Sequence, residues 1–178
     1  TTSQMYDIRQ RNWAKSLLSR LNIPYEILPA VVSAGTVVGQ VKQNLRDETD
    51  LHDPVNVVTP ASHDTSSAIA AIPGLDDHSV FISSGTWSLV GVEIPEPIVN
   101  DQILALNYTN EGGIDNAVNL QKILTGLWLL QESQRQWQRE GHSYSWDELL
   151  ALGQKAEPFQ SLIDPDAADF LNPMDMPA

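Results

Sequence analysis

The stretch Val80-Phe81-Ile82-Ser83-Ser84-Gly85-Thr86-Trp87-Ser88-Leu89-Val90-Gly91-Val92 sets two β-branched and aromatic runs on either side of four small residues. That order predicts two strands, Val80–Ile82 and Trp87–Val92, joined by a turn over Ser83–Thr86 whose backbone is exposed. Small residues between strands free consecutive N–H groups to face a phosphate, and the hydroxyls of Ser84 and Thr86 add donors. A plain hairpin turn has the same composition, so the segment alone leaves both readings open. No Gly-x-x-x-x-Gly-Lys-Ser/Thr occurs, so a nucleotide held here is not held by a P-loop.

Upstream, Pro73-Gly74-Leu75-Asp76-Asp77 is the strongest interior punctuation and predicts a boundary between residues 1–75 and 76–178. Before it, the β-branched run Val55–Val58 predicts a strand, and the small residues of Thr65–Ala71 predict a closely packed helix. Ala61-Ser62-His63-Asp64 lies at their junction, the place where open α/β sheets present side chains to ligands. A carboxylate at Asp64 can serve as a base, a metal ligand or a helix N-cap, and the cap is the commonest of the three. His63, taken alone, reads as a structural or surface residue.

Ser62-His63-Asp64 is not a hydrolase triad, because neighbours on an extended backbone point to opposite sides. No Gly-x-Ser-x-Gly elbow is present, and His52, His63, His78 and His142 lack paired metal-ligand spacing.

Further elements follow from periodicity. Ile8–Leu21 carries apolar residues at helical spacing, and Ala30–Val41, β-branched with Gly35 and Gly39, reads as a hairpin. Ile103–Tyr108 reads as a strand leading into a Thr109-Asn110-Glu111-Gly112-Gly113 turn. Leu120–Trp137 reads as one long helix, with Leu120, Leu124 and Leu127 on a face and Gln131 in line with Leu127. There a long amide needs a partner or a cleft, unless it lies on the surface. Trp146–Lys155 reads as a helix opened by Ser145 with Glu148 three residues on, and Pro165, Pro173 and Pro177 then block regular helix.

Composition narrows the partners. In 178 residues, 10 Lys and Arg against 23 Asp and Glu give a net charge of −13, which repels nucleic-acid backbones and anionic lipid. ATP remains compatible, because backbone N–H groups and Mg²⁺ can hold it locally. Zero cysteines exclude disulfide scaffolds and thiol nucleophiles, and no apolar run approaches the ~20 residues of a membrane span. The expectation is a cytoplasmic protein, and the sequence carries no signal of its oligomeric state. Starting at Thr1 and stopping at Ala178 without a closing element, the chain reads as an excerpt of a longer one.

Taken in order, Ala61-Ser62-His63-Asp64-Thr65, Phe81–Leu89, Asn110-Glu111-Gly112-Gly113 and Gly126-Leu127-Trp128-Leu129-Leu130-Gln131 resemble the FGGY carbohydrate kinases, most closely the rhamnulokinase branch. Ser161–Pro165 and Asp175–Ala178 extend the resemblance over nearly the whole chain. It implies an α/β, ribonuclease-H-like fold of the actin and sugar-kinase ATPases: two lobes of mixed sheets flanked by helices, here incomplete. Residues 1–75 would end the first, sugar-binding lobe and residues 76–178 would begin the second, nucleotide-binding lobe.

The same resemblance implies phosphorylation of a sugar by ATP with Mg²⁺, and for this branch the sugar is L-rhamnulose. It makes Asp64 the proton acceptor, His63 and Asp64 substrate contacts, and Ser84, Gly85, Thr86 and Gln131 ATP contacts, with no protein metal ligand. One departure stands out: Ile123 occupies a position where the branch commonly has Asn, about 12 Å from Gln131 if both lie on one helix. That replacement also fits an alternative, a non-catalytic sugar- or partner-binding module derived from such a kinase.

Overall fold

The computed structural model describes residues 3–170 and 176. Pro173, Pro177 and the resemblance at Asp175, Pro177 and Ala178 lie outside the described residues. The chain forms two compact units, one of residues 1–81 with 91–122 and one of residues 82–90 with 123–178.

In the first unit, β1 (Tyr6–Asp7) and β2 (Asn12–Trp13) pair antiparallel around a turn in which Asp7 Oδ1 accepts from the N–H groups of Arg9 and Gln10. The helix expected over Ile8–Leu21 is therefore shortened to α1, Lys15–Arg20, which buries Leu18 alone. An Asx-type side-chain bond competes with the first helical turn and wins there.

No local hairpin forms over Ala30–Val41. Instead β3 (Val37–Gln40) pairs antiparallel with β4 (Asn56–Val58), with an irregularity between Val37 and Gly39, and α2 (Gln43–Glu48) lies between them in sequence. Next comes α3 (Asp64–Ala70), small-residued as expected, burying Thr65, Ser66 and Ile69.

β5 (Phe81–Ser84) and β6 (Trp87–Ile94) flank the small-residue turn as their sequence predicts. They belong to a four-stranded sheet ordered β5-β6-β8-β7, with β7 (Tyr108–Gly112) and β8 (Val118–Thr125) antiparallel and Glu111 opposite Asn119.

Here two expectations are overturned. Residues 103–108 are not a strand: Asp101–Ala105 form α4, capped by Asn100 Oδ1 accepting from the Ile103 N–H, and the expected Thr109–Gly113 turn is part of β7. The first third of the predicted helix over Leu120–Trp137, residues 120–125, is strand β8, and helix begins only at Trp128. Val118, Asn119, Leu120 and Gln121 are all buried, so this central strand is covered on both faces and its sequence lacks the alternation that marks a half-exposed strand.

Leu18, Ala61, Ile69, Phe81, Val118 and Leu120 form the buried apolar core of the first unit, the larger side chains contributing roughly 1.5–3 kcal/mol each. Gly91 belongs to this packing: a Cβ there would lie 2.7 Å from the Gln121 Cβ and 2.8 Å from the Phe81 ring.

In the second unit, α5 (Trp128–Arg139) and α6 (Trp146–Lys155) are joined through Gly141, whose φ of 91° suits glycine. Trp137 packs edge-on against Tyr144 at 5.6 Å, and Gln134 Nε2 donates to the Tyr144 carbonyl. Ser145 and Glu148 close the expected capping box on α6. Among the described residues no helix is long and apolar enough to cross a membrane.

Candidate active site

Two groups of candidate residues are built separately, one in each unit. In the first unit, Ala61 is buried, Ser62 turns the chain with a φ of 66°, His63 is extended at the N-cap, and Asp64 is the first residue of α3. A left-handed serine is strained backbone of the kind that clusters at functional positions. The N-cap reading of Asp64 is ruled out by this register: His63 holds the cap and makes no side-chain cap bond.

Asp64 Oδ1 accepts from the Thr65 N–H at 2.7 Å and lies 3.3 Å from His63 Nε2. The carboxylate is 95% exposed, so it is oriented through one oxygen while Oδ2 stays open.

Behind it, His63 Nδ1 lies 3.2 Å from Oε2 of Glu111, a buried carboxylate on β7. Both atoms are buried and neither has a hydrogen-bond partner, so the contact is a close approach of ring nitrogen and carboxylate oxygen. Glu111 was not among the residues singled out from the sequence. Its signal there was limited to membership of Asn110-Glu111-Gly112-Gly113, read as a turn. In the structure Asn110 instead clamps Ile98, accepting from its N–H and donating to its carbonyl, which locks the edge of β7.

A cleft of about 430 Å³ lies in the same unit, within the roughly 300–1,000 Å³ of small-molecule sites. Tyr6, Arg11, Trp13, Ser33, Ser62 and Gly113 are among its lining residues, which joins it to the backbone just before His63 and just after Glu111. Burial pushes the Tyr6 phenol above its ordinary value, with Arg11 opposing, so its hydroxyl is kept as a neutral donor.

In the second unit the small-residue turn meets the start of α5. The N–H groups of Gly126 and Trp128 donate to the Thr86 carbonyl, and that of Leu127 donates to the Gly85 carbonyl. Gly126 permits this approach, because a Cβ there would stand 2.5 Å from Ser88 Oγ and 2.6 Å from the Gly85 carbonyl. The result brings Gln131 Nε2 within 3.5 Å of Thr86 Oγ1, two exposed-side groups proposed independently from the sequence.

Gly85's own N–H donates to the Trp87 carbonyl, so it is already engaged, whereas the Ser84 and Thr86 side chains face solvent. Ile123 sits on strand β8, 46% exposed, so the helical spacing to Gln131 expected from the sequence does not apply.

Comparison with known proteins gives a consistent picture. Residues 1–71 match the N-terminal domain of the FGGY family of carbohydrate kinases, and residues 80–178 match its C-terminal domain. The rhamnulokinase of Enterococcus faecalis is 38% identical over 176 residues, 99% of this chain and 35% of that protein. The rhamnulokinase of Bacillus subtilis is 36% identical over 99% of this chain and 36% of that protein. The chain thus spans about a third of the length of the curated relatives it matches.

Among solved structures, the ligand-bound xylulose kinase from Lactobacillus acidophilus superposes with a TM-score of 0.66 at 16% identity, covering 86% of this chain and 30% of that one. The gluconate kinase from the same organism gives a TM-score of 0.63 at 16% identity, covering 86% and 30%. These structural likenesses show the fold alone, the ribonuclease-H-like architecture of the sugar-kinase ATPases expected from the sequence.

Proposed function

The chain belongs to the FGGY family of carbohydrate kinases, and from that premise we propose that it is the part of a longer sugar kinase that supplies the catalytic base and part of the nucleotide grip. The observation that carries this reading is the Asp64 carboxylate, oriented by His63 and the Thr65 N–H through one oxygen and open at the other.

In the reaction, a sugar hydroxyl oxygen attacks the γ-phosphorus of ATP, the bond to the bridging oxygen of ADP breaks, and the hydroxyl proton passes to Asp64. His63 contributes to substrate binding beside it. The neighbouring cleft, with Tyr6 and Trp13 in its wall, is of a size to take a monosaccharide.

On the nucleotide side, Gln131 Nε2 donates to Thr86 Oγ1, which turns the hydroxyl proton of Thr86 outward toward a phosphate oxygen. Ser84 adds a second hydroxyl, and Gly85 leaves the approach open. The turn between β5 and β6 and the first turn of α5 therefore act as one grip, fixed by Gly126.

Mg²⁺ neutralises the transferring phosphoryl group in kinases of this kind. Mg²⁺ commonly reaches such a site bound to the triphosphate, with one or two carboxylates and waters completing its shell. No step is assigned to a protein-bound metal.

L-rhamnulose, phosphorylated at its 1-hydroxyl, is the proposed substrate, supported by the two rhamnulokinase relatives. Large exposed apolar side chains such as Val37, Val38, Val57 and Val58 support action within a longer chain, with the segment inactive by itself.

ADP release by the intact protein against L-rhamnulose, D-xylulose and glycerol tests the proposal. Turnover greatest with L-rhamnulose, with phosphate on its 1-oxygen, is the expected result. No sugar-dependent ADP release from any of the three would overturn it.

A further inference from the structure

We propose that Glu111 is a positioning residue for the base, acting through His63. The inference rests on the reading of Asp64 given above. His63 stands between two carboxylates, with Nε2 at 3.3 Å from Asp64 Oδ1 and Nδ1 at 3.2 Å from Glu111 Oε2. Whichever ring nitrogen carries the proton, a carboxylate faces it.

The two carboxylates differ in environment. Asp64 is almost wholly exposed, whereas Glu111 is buried on a strand whose place is set by five registered pairs with β8. A buried carboxylate oxygen without a hydrogen bond is costly, and the group that Glu111 Oε2 faces here is the His63 ring. Such a group is retained at a cost to stability when it fixes something else in place, and what it faces is the side chain that contacts the base.

A second tie runs in parallel. Asn119, opposite Glu111 in the β7–β8 register, donates from Nδ2 to Ser66 Oγ at 3.2 Å, both groups buried. The strand pair thus holds the first turn of α3 at His63 and at Ser66, on either side of Asp64. The Asn119 tie fixes the helix; the Glu111 tie fixes the imidazole, and with it the carboxylate rotamer.

A group acting in this way changes the rate more than the affinity. In the intact protein, Glu111→Leu is expected to lower kcat by about 10- to 100-fold, the scale set by a small misplacement of a reacting group, with KM for ATP unchanged. Glu111→Gln, which keeps an acceptor oxygen, is expected to recover most of that loss. In a His63→Ala background, Glu111→Leu is expected to add less than about 2-fold, because the connection is already cut.

Unchanged kcat per folded molecule in Glu111→Leu, with only a lower Tm, would overturn the inference; so would full additivity with His63→Ala. Should Glu111→Leu not fold, the same cycle is run with Glu111→Met, which keeps the length of the side chain but has no acceptor oxygen, and full additivity with His63→Ala there overturns it equally. Asp64→Asn separates the two layers: retained turnover in that variant removes the base reading itself, whereas its loss beside an unaffected Glu111→Leu removes the positioning role alone.

Discussion

Gln131 and Thr86, 45 positions apart in sequence, meet at 3.5 Å because the start of α5 is bonded to the carbonyls of the turn that carries Thr86. The amide occupies the acceptor side of the hydroxyl and leaves its proton free to donate, on the proposed nucleotide grip to a phosphate oxygen. Thr86→Ala and Gln131→Leu in the intact protein should therefore each raise KM for ATP about 3- to 10-fold while KM for the sugar holds, as loss of one modest hydrogen bond requires. The double variant should cost little more than Thr86→Ala alone, since the amide works through the hydroxyl. Steady-state kinetics with each substrate varied in turn checks this.

Glycine positions give a stability series of opposite signs. Gly126→Ala places a Cβ against Ser88 and the Gly85 carbonyl, so a loss of about 1–3 kcal/mol is expected. Gly91→Ala, against the Phe81 ring and Gln121, should be at least as costly. Gly153, inside α6 with nothing within 4 Å, should behave oppositely: Gly153→Ala is expected to stabilise by roughly 0.5–1 kcal/mol. Urea unfolding of the three variants ranks them.

The cap of α6 predicts a pH dependence. The Glu148 carboxyl is held below its ordinary value of 4.5, first by the Ser145 N–H and then by its hydroxyl. A lowered folded value means that the anion is the stabilised form. Its contribution is complete above about 4.5 and disappears as pH falls through the lower folded value. Amide protection in α6, followed by NMR, should drop on acidification in the parent, and Glu148→Gln should flatten that response.

How much of this was legible beforehand varies with how local each signal is. The α6 cap, the β5–β6 pair and α3 were readable because Ser145 with Glu148, the β-branched flanks, and the small residues after Asp64 act within a few positions. β8 is hidden in the sequence because Leu120 and Leu124 fit a helical spacing as well as an alternating one, and Asn119 and Gln121 look like a solvent face although both are fully buried. α4 was missed although Asn100 and Asp101 are good starting residues, since Ile103 and Leu104 favoured a strand reading.

At the site, residue types alone leave His63 a surface residue, Asp64 a helix cap and Thr86 part of a plain turn, and it is the family resemblance of the motifs around them that singles out His63, Asp64, Thr86 and Gln131. Glu111 is not among them, because its meaning depends on a contact with His63 made through the sheet. The engagement of the Gly85 N–H by Trp87 was equally invisible without coordinates.

The most direct test of the central claim is Asp64→Asn in the intact protein, with turnover and sugar binding measured on the same preparation. An amide keeps the shape of the carboxylate and cannot take the proton, so turnover should fall by at least about 100-fold while the calorimetric Kd for the sugar stays within about 3-fold. Turnover within about 10-fold of the parent, at the same sugar affinity, would contradict the assignment of Asp64 as the base.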